Sequence, residues 1–158
     1  MHLILVALGL ALSVTAAAAQ GAPSQAAPHA VIVLPAQVTW SPGPASLPAG
    51  AKAAVLEGDP KEAGPFTMRL ALPDGYRIPP HSHPAVERVT VIEGTFRVGM
   101  GDKFDASALT SLPAGTFAAL QPDTRHFAQA QGKTIVQLNG IGPWKLTYVN
   151  PADDPRKN

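Results

Sequence analysis

From residue 52 onward, apolar and polar positions alternate in short runs separated by glycine and proline, and nothing after residue 19 sustains a helical period. The plainest run is Phe66–Leu72, where Phe66, Met68, Leu70 and Leu72 fall on one face and Thr67, Arg69 and Ala71 on the other, as in a half-buried strand. Lys52–Glu57 reads as an earlier strand closed by Gly58-Asp59-Pro60. Arg88–Ile92 and Thr95–Met100 read as two strands either side of Glu93-Gly94, the second with Phe96, Val98 and Met100 opposed to Arg97. Asp105 fits the N-cap of a single helical turn over Ala106–Leu112, stopped by Pro113-Ala114-Gly115. Phe117–Leu120, His126–Gln129, Thr134–Leu138 and Trp144–Val149 complete the set. Short strands at near-regular spacing with glycine and proline between them predict an all-β fold, an antiparallel sandwich or barrel.

The beginning of the chain is different in kind. Residues 1–19 are uncharged, mostly apolar and end in small residues, which predicts a signal peptide cut near Ala19. Its n-region offers only the α-amino group and His2, and a retained anchor is the rival expectation, since about 20 apolar residues can span a bilayer. Residues 20–50 are rich in proline, alanine, glycine and serine: Gln20 to His29 reads as a flexible lead-in carrying a solvated His29, and Val31 to Trp40 as a strand or extended arm. Residues 51–150 form the expected domain and 151–158 a C-terminal tail. With 158 residues there is room for one globular core and no second. Twelve basic residues against eleven acidic, with no basic run interleaved with aromatics, argue against a nucleic acid or, once the leader is cut, a membrane surface. A small molecule is the expected partner. The absence of cysteine excludes disulfides, thiolate ligands, a cysteine nucleophile and a lipidated cysteine. The leader places the mature chain in the periplasm or outside the cell, and its lack of a twin-arginine pair points to the general secretion route, so that metal would be acquired after export of the unfolded chain.

The chemistry concentrates in Gly75 to Gly94, GYRIPPHSHPAVERVTVIEG. In an extended chain His81 and His83 point the same way about 7 Å apart, close enough to share an ion. Glu87 has the same parity, but Pro84 interrupts the strand, so a tight turn is needed to bring its carboxylate back. Asp74-Gly75 and Glu93-Gly94 read as turns. Without a metal, these are surface histidines near a turn. Further on, GTFAALQPDTRH runs from Gly115 to His126. Alone, His126 reads as a partly buried histidine bonded to a backbone carbonyl, and Arg125 as a solvated strand-edge arginine or a lure for an anionic substrate.

The first of these stretches resembles the leading motif of the cupin superfamily: Gly75, five residues, His81-Ser82-His83, three residues, Glu87, six residues, Gly94. The resemblance implies a jelly-roll β-barrel over about residues 50–150. It further implies that His81, His83 and Glu87, joined by His126 from a second motif, bind one divalent metal ion: Zn, Mn, Fe, Ni or Cu. The second motif departs from the pattern, with Gln121 where a proline is usual, Asp123 for a glycine and Ala130 for an asparagine, although Pro122-Asp123 can still build a type I turn. Three imidazoles and a carboxylate would leave part of the coordination shell open, the mark of a catalytic site. Export and the affinity order favour zinc or copper, while the carboxylate suits manganese or iron. Cupins include dioxygenases, isomerases, decarboxylases and non-catalytic binders, so the fold assigns no activity. The expectation is a secreted, metal-dependent enzyme, a dioxygenase-type oxidoreductase acting on a small oxygenated organic molecule. The alternatives are a non-catalytic metal-dependent binding module and a metal-assisted isomerase or hydrolase. Beyond the four ligands the strands offer only Arg69, Arg97, Gln129 and Gln137 as polar candidates for the barrel lining, and no catalytic residue is identified. Trp144 and Tyr148 share a face of the last strand and read as core or homodimer contacts.

Overall fold

The computed structural model describes residues 30–157. The leader, His2, the lead-in and His29 lie outside the described residues. Nine strands follow in order: β1 (Ser41–Pro42), β2 (Lys52–Glu57), β3 (Gly64–Leu72), β4 (Arg77–Ser82), β5 (Glu87–Met100), β6 (Thr110–Pro113), β7 (Phe117–Leu120), β8 (His126–Gly142) and β9 (Thr147–Tyr148). Every pairing is antiparallel. Among the described residues no helix is long and apolar enough to cross a membrane.

Two long strands organise the fold. The first half of β5 pairs with the second half of β8, from Arg88↔Asn139 to Val91↔Val136, and the halves then exchange, from Thr95↔Gln131 to Met100↔His126. The first sheet extends from this pair through β3, β2 and β1 on one side and β7 on the other. The second carries β4 beside β8 with β9 on the far side of β4, and β6 beside β5. The chain is therefore a jelly roll, in which antiparallel sheets face one another across an apolar core. Phe66, Met68, Leu70, Leu72, Val89, Val91, Val136 and Leu138 fill the core from the first sheet, and Ile78, Phe96, Val98, Ala128 and Ala130 from the second.

The exchange between sheets happens at Gly94, which is not the turn expected between separate strands. Residues 88–92 and 95–100 form one strand that bends through register shifts between Val91 and Thr95. Gly94 has φ +75°, and a Cβ there would lie 2.3 Å from the Lys133 carbonyl oxygen, so this bulge accepts only glycine without strain. The same correction applies to His126–Gln129 and Thr134–Leu138, which are continuous within β8.

Other expectations shift at the edges. Asp105 does cap a turn, its carboxylate accepting from the Ser107 backbone N–H at 2.8 Å, but the 3-10 turn ends at Ala108 and Thr110–Pro113 becomes an edge strand. A proline tolerates that edge because no ladder partner is needed on its outer side. The arm Val31–Trp40 is not a strand. It holds one 3-10 turn at Pro35–Gln37, and pairing begins only at β1. The predicted strand Trp144–Val149 shortens to Thr147–Tyr148. The polar candidates for the barrel lining also face away from it. Arg69 Nε donates to Gln137 at 3.1 Å, and each of Arg69, Arg97, Gln129 and Gln137 sits between residues buried on the opposite face.

Candidate metal centre

Three strand ends meet at one point. His81 on β4 stands in register with His126, the first residue of β8, and on its other side with Tyr148 of β9. His83 follows the end of β4, Pro84 breaks the ladder, and the chain turns back into β5 at Glu87. The segment before His126 is bound to this turn: the Asp123 backbone N–H donates to the His83 carbonyl at 2.8 Å. The turn Gln121–Thr124 is closed by Thr124 N–H to Gln121 oxygen at 3.2 Å, and Asp123 takes φ +61°. This left-handed corner replaces the expected type I turn. Aspartate occupies, at some cost, a conformation natural to the glycine it replaces.

All four side chains are buried. Each histidine presents Nδ1 to a backbone carbonyl: His81 to Pro79 at 2.7 Å, His83 to Lys145 at 2.8 Å and His126 to Thr124 at 2.9 Å. A carbonyl can only accept, so each Nδ1 carries the hydrogen and each Nε2 keeps its lone pair. One ligand atom from each of the three histidines lies within 4.8 Å of those of the other two. Glu87 Oε2 stands 3.3 Å from His126 Nε2 and 3.7 Å from His83 Nε2. His83 Nε2 is buried with no hydrogen-bond partner among the described residues. Lone pairs and a carboxylate facing one another without an intervening hydrogen repel, and a cation between them removes the repulsion. Donors on an ion with bonds of about 2.1 Å stand roughly 3 Å or more apart, so the three imidazoles fit a divalent metal, with the Glu87 carboxylate beside two of them.

Protonation favours the same occupant. Burial, then the fields of His126 and His83, pull the His81 imidazole down to about 3. Burial also lowers His83, opposed in part by Glu87 and by the hydrogen bond to Lys145. For Glu87, burial pushes upward, but the close approach of His126 and the surrounding histidines outweighs it and leaves the carboxyl below its ordinary value. Neutral imidazoles and an ionised carboxylate are the states a metal requires.

A cavity of about 40 Å³ opens beside the donors, walled by Met68, Leu70, Ile78, Leu138, Trp144 and Leu146. Apart from His81, His83 and Glu87, its described lining carries no titratable side chain, and Ser46 is the remaining polar one. Trp144 was expected among core or dimer contacts with Tyr148. Tyr148 is indeed core, its hydroxyl donating to the Ser46 carbonyl at 2.8 Å, but Trp144 leaves the strand and stacks on His83, with ring centroids 4.4 Å apart and planes at 20°. Trp144, Lys145 and Leu146 are the site residues that sequence reasoning missed. The one signal was Gly142-Pro143 just before the tryptophan, a break that detaches Trp144 from the preceding strand. Arg125 pairs with Asp102, both more than half exposed, as a surface arginine.

The family described as the ChrR cupin-like domain matches residues 28–141. A protein of Methylibium petroleiphilum PM1, described as a candidate acetylacetone dioxygenase, is similar in structure with a TM-score of 0.61 at 22% identity, over 83% of this chain and 88% of that one. The polyketide cyclase RemF of Streptomyces resistomycificus gives 0.60 at 15% identity, over 80% and 89%. An RmlC-like cupin of Shewanella frigidimarina NCIMB 400 gives 0.55 at 17%, over 73% and 91%. These likenesses are of fold. Among curated proteins, none matches the sequence.

Proposed function

This chain belongs to the ChrR cupin-like domain family, and on that premise we propose that it is a metal-dependent oxidoreductase of the dioxygenase type, which binds one divalent ion through the His81, His83 and His126 cluster with Glu87 beside it as the fourth ligand, and acts on a small oxygenated organic molecule. One observation carries the reading: the donor set opens onto an apolar chamber whose lining offers no titratable group beyond the ligands themselves. Hydrolysis and isomerisation call for a positioned acid or base to move protons. When bound, a redox-active ion supplies dioxygen activation and a point of chelation, chemistry that asks little of the walls. The chain's own residues do the rest. The carbonyls of Pro79, Lys145 and Thr124 fix the three rings, Glu87 offsets part of the ion's charge, and Met68, Leu70, Ile78 and Leu138 exclude water. No Lys or Arg lines the chamber among the described residues, which disfavours carboxylate substrates and favours neutral chelators such as β-diketones or enols. The name of the Methylibium neighbour, a candidate acetylacetone dioxygenase, agrees with that class.

The same poverty of proton-moving groups supports a second reading, a binding module that holds a small chelator through the metal without turning it over. A chamber of about 40 Å³ has room for only a few waters' worth of ligand before it must adjust. The experiment is oxygen uptake by protein loaded with ferrous ion and offered β-diketones and catechols, with His126→Ala as control. Uptake matched to substrate loss and absent in the control supports the oxidoreductase. Chelator binding without uptake establishes the module. We further propose that residues 1–19 are removed on export and that the ion is taken up outside the cytoplasm. N-terminal sequencing and elemental analysis of protein from its native compartment test both.

A further inference from the structure

We propose that Trp144 is the specificity-determining wall of the chamber and the positioning residue for the His83 ring. This rests on the metal centre assigned above. The indole lies flat against His83 and is itself held edge-on by Phe66 at 5.5 Å. Gly140 leaves the space for both rings, since a Cβ there would come within 2.9 Å of Phe66 and 3.2 Å of the indole. The backbone around the indole is anchored as tightly. Trp144 N–H donates to the Pro60 carbonyl at 2.6 Å, and the Leu146 carbonyl accepts from Arg156 at 3.0 Å. Arg156 is gripped in turn by both oxygens of Asp154, at 2.7 and 2.8 Å.

This short segment therefore holds His83 in two ways. The Lys145 carbonyl takes the Nδ1 hydrogen and sets the rotation of the ring, while the stacked indole sets its tilt. Of the other main walls, Met68, Leu70, Ile78 and Leu138 stand on paired strands and Leu146 is buried in the core cluster, so a change of size in any of them disturbs the core. Trp144 stands outside the strands and is only partly buried, so it can vary in size without unpairing a sheet. It is the side of the chamber that limits how far a chelator's flanking group can extend.

The test uses the mature chain carrying Trp40→Phe, which leaves Trp144 as its one tryptophan. Cu²⁺ is titrated while emission is followed. Competition at the Cu²⁺-loaded site between a methyl-flanked β-diketone and its phenyl-flanked analogue is then read by visible absorption. One equivalent of Cu²⁺ should quench the emission. In the chain with native Trp40, Trp144→Phe keeps an aromatic stack and should retain Cu²⁺ affinity within about threefold, whereas Trp144→Ala should lose roughly tenfold or more. Preference for the smaller diketone should fall roughly tenfold in Trp144→Ala and by less in Trp144→Phe. Tight Cu²⁺ binding with the diketone preference unchanged in both variants overturns the role of Trp144 and leaves the metal centre standing. If the alanine variant does not fold, an unchanged preference in the phenylalanine variant has the same force. Failure of any protein to bind Cu²⁺ overturns the metal centre, and the role of Trp144 with it.

Discussion

Acidifying the metal-free protein from about pH 6.5 to about pH 4.5 should destabilise it more steeply than its exposed groups alone would. His81 has an ordinary value of 6.5, which the unfolded chain restores, and about 3 in the fold, where burial and the neighbouring imidazoles oppose its charge. The folded value lies below the unfolded one, so between the two the unfolded chain takes up a proton that the folded chain refuses. Stability is present in full above 6.5 and falls as the pH drops toward 3. A fully linked proton is worth about 1.4 kcal/mol per pH unit, so two units cost roughly 2 kcal/mol or slightly more from His81 alone. The lowered His83 acts with the same sign, and Glu87, held below its ordinary 4.5, adds its loss only at lower pH. Against the typical total of about 5–15 kcal/mol this is a large share, and in urea it should move the midpoint down by about 1 M. The assay is urea unfolding followed by circular dichroism in chelator at several pH values, for wild type and for His81→Gln, which cannot titrate. The difference in slope should approach one proton. Equal slopes for the two proteins would refute the reasoning.

Gly94→Ala should cost about 3 kcal/mol, from a left-handed backbone and a Cβ driven against the Lys133 carbonyl, as urea unfolding would show. His83→Ala should lower metal affinity by about 100-fold or more in calorimetry and leave the β-sheet circular dichroism intact; an unfolded variant would make the ion structural. Asp123→Ala should lose about 1 kcal/mol because φ +61° is tolerated by aspartate better than by alanine, while Asp123→Gly should stay within about 0.5 kcal/mol of wild type. Free metal at about 100 times its dissociation constant should add about 2.7 kcal/mol, visible as a raised melting temperature, and a melting curve indifferent to metal and to chelator would count against the site.

What the sequence disclosed follows from the range of each effect. Phe66–Leu72 announces its strand because one face meets the core and the other carries Thr67 and Arg69, bonded to Asn139 and Gln137 on β8, so alternation survives in the residues themselves. His81, His83 and Glu87 stand close in sequence, and their proximity was legible from spacing. Gly94 was misjudged because a bulge and a hairpin turn ask the same thing of a glycine, a positive φ, and only the continuation of pairing with β8 distinguishes them. Asp123 announced a turn but not its handedness. The contribution of Lys145 was illegible because it is a backbone carbonyl, 62 residues from His83, placed there by tertiary closure and not by any property of lysine. The outward facing of Arg97 and Gln129 needed the register of β5 against β8, which alternation alone leaves open across a bulge.

Strands β5 and β8 each run through both sheets, so the sheets share backbone as well as a packed interface. Neither sheet can open alone, since peeling one strains the two strands that continue into the other. Amide hydrogens along β8, from the His126 end to the Gly142 end, should therefore exchange with deuterium through one common opening, while the short outer strands β1 and β9 exchange sooner. An ion held at the start of β8 would then leave by swings of its ligand side chains and of the Trp144 indole, on a timescale set by side chains, well before the barrel comes apart.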